Sequence, residues 1–205
     1  MNARVRARRG GGDLLREEIL VAAERLLAET GDEDAVSIRA IADAVGVSPP
    51  SIYLHFPDKE TLVFAVCDRQ FAIFDAELEA AGATTTDPVE ALERRGEAYV
   101  RFGLVHDDAY RIMFMGRSTL VDRHIGSVEK AGQTAFNHLV AAVQRGVDAG
   151  ALRADLDPVQ GAIFLWAGMH GITSLLISMA GFPWGDRDAL VGDLCRMHLR
   201  SMRRG

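Results

Sequence analysis

Lysine is nearly missing from this chain: of 23 basic residues, only Lys59 and Lys130 are lysines. Basic residues are also outnumbered by 29 acidic ones, giving a formal net charge of -6. That balance argues against a surface that binds polyanions everywhere and leaves room for a local basic patch. Cysteine is scarce. Cys67 and Cys195 stand far apart with no CxxC, so neither a disulfide framework nor a zinc site is expected. Both lie in apolar helical context, where Cys serves as a small buried hydrophobe. The start, MNARVRARRGGGD, lacks an apolar stretch, so no signal peptide is expected. Long apolar runs are limited to one, GAIFLWAGMHGITSLLISMAGF (161–182). Its length would span a bilayer. It carries His170 and four glycines, however, and has neither a second span nor a basic flank. A buried interface helix in a cytoplasmic protein with no membrane partner is the expectation. GxSxG, P-loop, Rossmann and HExxH patterns are absent, and GGGD at 10–13 follows arginines rather than a strand. No enzyme activity, cofactor or metal site is expected.

Alternating strand patterns are absent too, and what is present is helical. Apolar residues make up 48% of 205, enough for a real core. Leu14, Leu15, Ile19, Leu20, Ala23, Leu26 and Leu27 recur at helical steps up to Gly31. Ser37 is a candidate N-cap for a short helix with Ile38, Ile41, Ala42 and Val45 inward. Ser48 is a candidate N-cap for a third helix. Pro49 and Pro50 fall in its first turn, where N–H groups have no intrahelical partner. Pro57 closes that helix. Further helices are expected over about 59–81, 88–105, 107–116, 124–149, 158–180 and 187–203. Three parts follow: a basic arm at 1–12, a three-helix unit at 13–60 and a larger helical unit at 61–205. The fold class is all-α, with about nine helices.

Two short helices joined by GVS form a helix-turn-helix, with small Ala42 at the crossing, Gly46 in the turn and apolar Ile52 packing back. The second helix of that motif enters the DNA major groove N-terminus first. Ser48, Pro49, Pro50 and Ser51 then form a tip for base edges, reading a thymine methyl or accepting through a hydroxyl. Tyr53 and His55 carry polar tips suited to phosphate oxygens. Lys59 adds charge to the free N–H groups at the next helix start. Ser37 and Arg39 lie where they could hold the backbone on the other side. Plainer readings stand beside these: Tyr53 as simply half-buried, Ser37 as a cap only, Arg39 as a solvated charge. Arg4, Arg6, Arg8 and Arg9 fit a minor-groove arm or a solubilising tail equally well.

The stretches ILVAAERLLAETG and VSIRAIADAVGVSPPSIYLHFPDKETLVFAV resemble the N-terminal domain of the Tet-repressor family of bacterial transcriptional regulators, over about residues 17 to 66. The resemblance implies a DNA-binding domain joined by the fourth helix to a ligand-binding, dimer-forming domain. It implies DNA contacts at Ser37, Arg39, Ser48, Pro49, Pro50, Ser51, Tyr53, His55 and Lys59. The family often has glycine where Pro50 stands, which leaves the base-reading details of this chain open. WAGMHGITSLL (166–176) resembles a Trp-x-x-x-His-Gly branch, implying a homodimer through the two C-terminal helices.

A cavity in the larger unit would draw on Phe71, Phe102, His106, Tyr110, Met113, Trp166, Met169 and His170, and on Phe74, Phe114, Phe136 and Phe164. Aromatic and methionine linings suit a largely apolar effector, and the same residues also suit ordinary core. His170 has a structural reading as well, because Gly171 beside it suggests close helix packing. His124 and His138 read as exposed helix positions. Helix 158–180 is apolar nearly all round and is expected to be buried on more than one side. In the last helix Leu190, Val191, Leu194 and Met197 form one stripe. The function expected is a ligand-responsive repressor that binds a palindromic double-stranded operator as a homodimer. The alternative is an architectural DNA-binding protein without sequence preference or ligand control.

Overall fold

The computed structural model describes residues 11–31, 33–114 and 129–203. Among these residues there are nine α-helices and one 3₁₀ turn, Glu33–Ala35. The one extended pairing among them is an isolated antiparallel bridge between Leu152 and Arg203. The helices are α1 (Gly11–Thr30), α2 (Ile38–Val45), α3 (Pro49–Tyr53), α4 (Lys59–Gly82), α5 (Pro88–Val105), α6 (Asp107–Phe114), α7 (Glu129–Asp148), α8 (Pro158–Ser178) and α9 (Arg187–Met202). The all-α expectation holds. The helix ends expected at 116 and 124, His124, and the four arginines of the arm lie outside the described residues. α1 starts at Gly11, inside the stretch expected to be an arm.

Local signals account for most boundaries. The Ser37 hydroxyl accepts from the Ala40 N–H at 3.1 Å and caps α2. Gly46 ends it at φ 76°, a left-handed conformation that only glycine adopts without strain, and its N–H returns to the Ala42 carbonyl. Asp58, Asp87, Asp157 and Asp186 accept backbone N–H groups at the starts of α4, α5, α8 and α9.

α3 departs from expectation twice. Ser48 occupies the N-cap position but makes no side-chain cap bond. The reason is the double proline: the next two residues have no N–H to offer, and the Ser51 N–H goes to the Ser48 carbonyl at 2.8 Å. The helix also ends at Tyr53, short of Pro57. Phe56, which precedes that proline, is disfavoured in the α region; its ring is buried and anchors the turn, with Arg16 stacked above it at 5.0 Å.

Ile19, Ala23, Leu27, Ile41, Ala42 and Ile52 form one core, and Leu62, Val63 and Val66 from the first turns of α4 complete it. Further along, the same helix sends Phe74 into a second core with Tyr99, Phe102, Tyr110, Met169 and Leu176. α4 is therefore a rod shared by both cores. α6 bridges them as well, with Tyr110 in the second core and Ile112 against the first. A third core joins α5, α7, α8 and α9 around Leu92, Val143, Leu165 and Leu199.

α8 is long and apolar enough to cross a membrane by length and composition. Within the fold it packs against α5, α7 and α9, burying Leu165, Met169, Ile172 and Leu176. It thus meets three helices within one chain, while Phe164 and Leu175 stay 52% and 44% exposed on its outer face and Ile163 is 42% exposed at the cavity described below. The α9 stripe also divides. Val191 joins Cys195, Leu199 and Met202 at i, i+4, i+8 and i+11 on the buried face, while Met197 points outward.

Candidate nucleic-acid interface and internal cavity

The helix-turn-helix presents its tip to solvent. Ser37, Arg39, Ser48, Pro50 and Tyr53 are exposed, and Pro49, Ser51, His55 and Lys59 are half-buried. Only Ile52 of α3 is buried, which holds the short helix down by one apolar peg. Tyr53 is 51% exposed, so its ring is open to solvent on one side. The Ser48 and Ser51 hydroxyls, with no cap bond to make, bond to each other at 2.9 Å. Lys59 is the first residue of α4, at the helix start that Asp58 caps through the Thr61 N–H. Leu54, 84% exposed next to Tyr53, adds an apolar contact on this face that helical spacing did not single out.

The larger unit holds a cavity of about 440 Å³ between α4, α5, α7, α8 and α9, open to solvent on the side where Ile163 and Trp166 are exposed. Of the eight side chains expected there, Phe71, Trp166 and Met169 border it, as do Phe74, Phe114 and Phe136. The other five sit elsewhere. Phe102 is packed behind Phe74 at a ring separation of 5.2 Å. His106 caps α5 and is exposed, 3.9 Å from Glu77. Tyr110 and Met113 belong to the α6 side of the second core, and His170 stacks on Tyr110 at 5.8 Å. Phe164 faces out of the bundle, against His198. Sequence reasoning missed Leu78, Leu92, Arg95, Tyr99, Leu139 and Leu199 in the wall. They carry helix-core spacing, or, for Arg95, the look of a solvated charge.

One polar side chain in the wall leads away from it. The Tyr99 hydroxyl lies 3.1 Å from that of Tyr110 on α6, and 3.3 Å from His170 Nδ1 on α8. Tyr110 is 2.7 Å from the same nitrogen, and His170 Nε2 is 3.4 Å from Ser174 Oγ. Burial raises both tyrosine pKa values and lowers that of His170, so the imidazole stays neutral. In that form one ring nitrogen donates and the other accepts, and the hydroxyls of Tyr110 and Ser174 can answer either role. The folded chain then binds a second ring proton less readily than the unfolded one. Stability contributed by neutral His170 is complete above about pH 6.5 and falls as the pH drops below it. Urea midpoints at pH 7.5 and 5.5 should therefore differ more in the wild type than in His170→Gln. Equal pH dependence in both would assign the effect to another group.

Folding also assembles a charged cluster beside the cavity. His138 Nδ1 lies 2.9 Å from Asp75 and 3.8 Å from Glu79, and Glu79 also accepts from Arg95 Nη2. His138 is therefore half-buried and engaged rather than a plain surface histidine. Asp75, Glu79 and His138 have the atom types and proximity of a metal-ligand set. The Arg95 guanidinium against Glu79 opposes a further cation there. Arg95 itself is 5% exposed and crosses the bare Cα of Gly82: a Cβ on Gly82 would sit 2.6 Å from its Nε. On the far wall the Cys195 thiol donates to Met169 Sδ at 3.4 Å, and burial, with Glu97 and Glu93 nearby, pushes its pKa up to about 12. That makes it an inert core thiol.

Comparison with known proteins adds the following. Residues 19–66 match the bacterial regulatory proteins of the tetR family, and residues 92–200 match the tetracyclin repressor-like C-terminal domain. The chain is 35% identical over 103 residues to the HTH-type transcriptional activator FasR of Mycolicibacterium smegmatis, covering 50% of this chain and 46% of that protein. It is 34% identical over 98 residues to the HTH-type transcriptional regulator EthR of the same organism, covering 46% and 43%. The match thus spans about half the length of these curated relatives. A solved structure of a protein of unknown function from Rhodococcus superposes with a TM-score of 0.80 at 25% identity, covering 93% of this chain and 96% of that one.

Proposed function

The chain belongs to the tetR family of bacterial regulatory proteins, and from that premise we propose that it is a sequence-specific transcriptional regulator, a repressor released by an effector. The observation that carries the reading is the α3 tip. A five-residue helix held by one buried side chain exposes Ser48, Pro50 and Tyr53 next to the N-terminus of α4. Such a surface suits the major groove, with Ser48, Pro49, Pro50 and Ser51 toward base edges. Ser37, Arg39, Tyr53, His55 and Lys59 go to phosphates. The DNA-binding unit ends near residue 60, and the remainder binds effector and partner.

The protein acts in the cytoplasm as a homodimer. The support is the apolar face of α8, where Phe164 and Leu175 are exposed. Gly171 on the same helix would have nothing within 4 Å of an added Cβ, leaving room for a partner helix to approach closely. A two-fold axis through this face pairs the recognition helices on a palindromic operator. The effector occupies the cavity. To release DNA it must prefer the non-binding arrangement, since equal affinity for both arrangements shifts nothing.

Lys59→Ala is expected to weaken binding to every duplex alike and to lower the slope of log affinity against log salt by about 1. Unchanged affinity and slope would remove the phosphate assignment. The function as a whole is tested by selecting bound fragments from a random duplex pool at near-physiological salt. A palindromic motif is the expected product. Folded protein that enriches no motif, with or without cell extract as an effector source, would replace this reading with architectural binding.

A further inference from the structure

We propose that the cavity takes an uncharged, lipid-like molecule and rejects one bearing a carboxylate or phosphate. The proposal rests on the reading of this cavity as the effector site and adds the chemical class of its occupant. At first sight Arg95, the one cationic side chain among the described residues of the wall, invites an anion. Its charge is already spent. Glu79 accepts from its Nη2, and behind Glu79 stand His138 and Asp75. With His138 neutral, two carboxylates face one guanidinium; with His138 protonated, the cluster is neutral. In neither state does this cluster present a net positive charge to the cavity.

Three other polar side chains of the described wall are also engaged within the protein. The Tyr99 hydroxyl is bonded to Tyr110 and His170, and the Cys195 thiol to Met169. Gln133 donates from its amide to Asn137 Oδ1 at 2.9 Å. Arg95 Nε has no acceptor, but it lies over Gly82 on α4, where a Cβ would be 2.6 Å away. An ionised headgroup that passes the open mouth sheds its water, finds no unspent cation among the described residues and approaches Glu79. A neutral, largely apolar molecule loses far less by desolvation than an ion and gains contact with Phe71, Phe74, Phe114, Phe136 and Trp166. The volume of about 440 Å³ is of the size that holds a small lipid-like ligand.

The test compares molecules of one chain length: dodecanoate, methyl dodecanoate and 2-tridecanone at pH 7.5. Trp166 borders the cavity, so its emission reports occupancy once Trp184 is replaced by Phe. The ester and ketone are expected to bind at least about tenfold more tightly than dodecanoate. In Glu79→Gln the Arg95 charge is released, and the gap should narrow. If that variant does not fold, Asp75→Asn removes a charge from the same cluster. Dodecanoate binding as tightly as the ester in the wild type would overturn the proposal while leaving the cavity as a ligand site. So would a gap that stays the same after the cluster charge is changed. If no probe alters Trp166 emission, the reading of the cavity as the effector site fails, and the proposal goes with it.

Discussion

Leu175→Asp is expected to give a folded monomer that binds a palindromic operator at least about a hundredfold more weakly than the wild type. The side chain lies on the outer face of α8 and is 44% exposed, so the change disturbs little within one protomer. In the proposed dimer two copies of that face meet across a two-fold axis, and each mutation is applied twice. Two carboxylates would then be buried without partners, a cost that an interface of ordinary size does not absorb. A monomer engages one half-site and loses the gain from linking two. Light scattering reads the mass and electrophoretic shift reads the affinity. A Leu175→Asp protein that stays dimeric would place the dimer contact on another face.

Gly103→Val should destabilise the fold by about 3 kcal/mol, the upper part of the usual range for overpacking a tight core. Gly103 is buried where α5 crosses α8 and α6. A Cβ there would fall 2.3 Å from Thr173 Cγ2 and 3.0 Å from Tyr110 Cδ2. Neither neighbour has room to give. Thr173 is fully buried, its hydroxyl bonded to the Met169 carbonyl at 2.7 Å, and Tyr110 is fully buried and tied to His170. Alanine would already meet the clash, offset by its better helix propensity of about 1 kcal/mol; valine adds bulk and loses that compensation. Urea denaturation followed by circular dichroism measures the loss. A change below about 1 kcal/mol would mean that the crossing can widen more readily than interiors of this density do.

The helix-turn-helix was legible before any coordinates because its signals are local. Ser37 caps α2, Gly46 takes the left-handed turn and Pro49 begins α3 within a dozen residues of one another. Each acts through backbone geometry that neighbouring residues alone define. The missing cap bond of Ser48 was legible in principle too, since two consecutive prolines have no N–H to donate. The cavity was legible only in part. Aromatic spacing on α4 and α8 pointed to Phe71, Trp166 and Met169, but leucines such as Leu78 and Leu139 look alike in a wall and in a core. Whether space remains between them depends on the distance between helices that are far apart in sequence.

Helix positions, caps, the recognition tip and the family were therefore determined by the amino-acid sequence itself, because each depends on residues within a few turns of one another. Tertiary structure alone decided that Arg95 is buried and neutralised by Glu79, that Tyr99 joins the cavity wall to α6, and that one face of α8 stays bare. Those outcomes depend on which helices meet and how closely they pack. A charge, a hydroxyl or an apolar stripe has no assigned partner until the chain has folded around it.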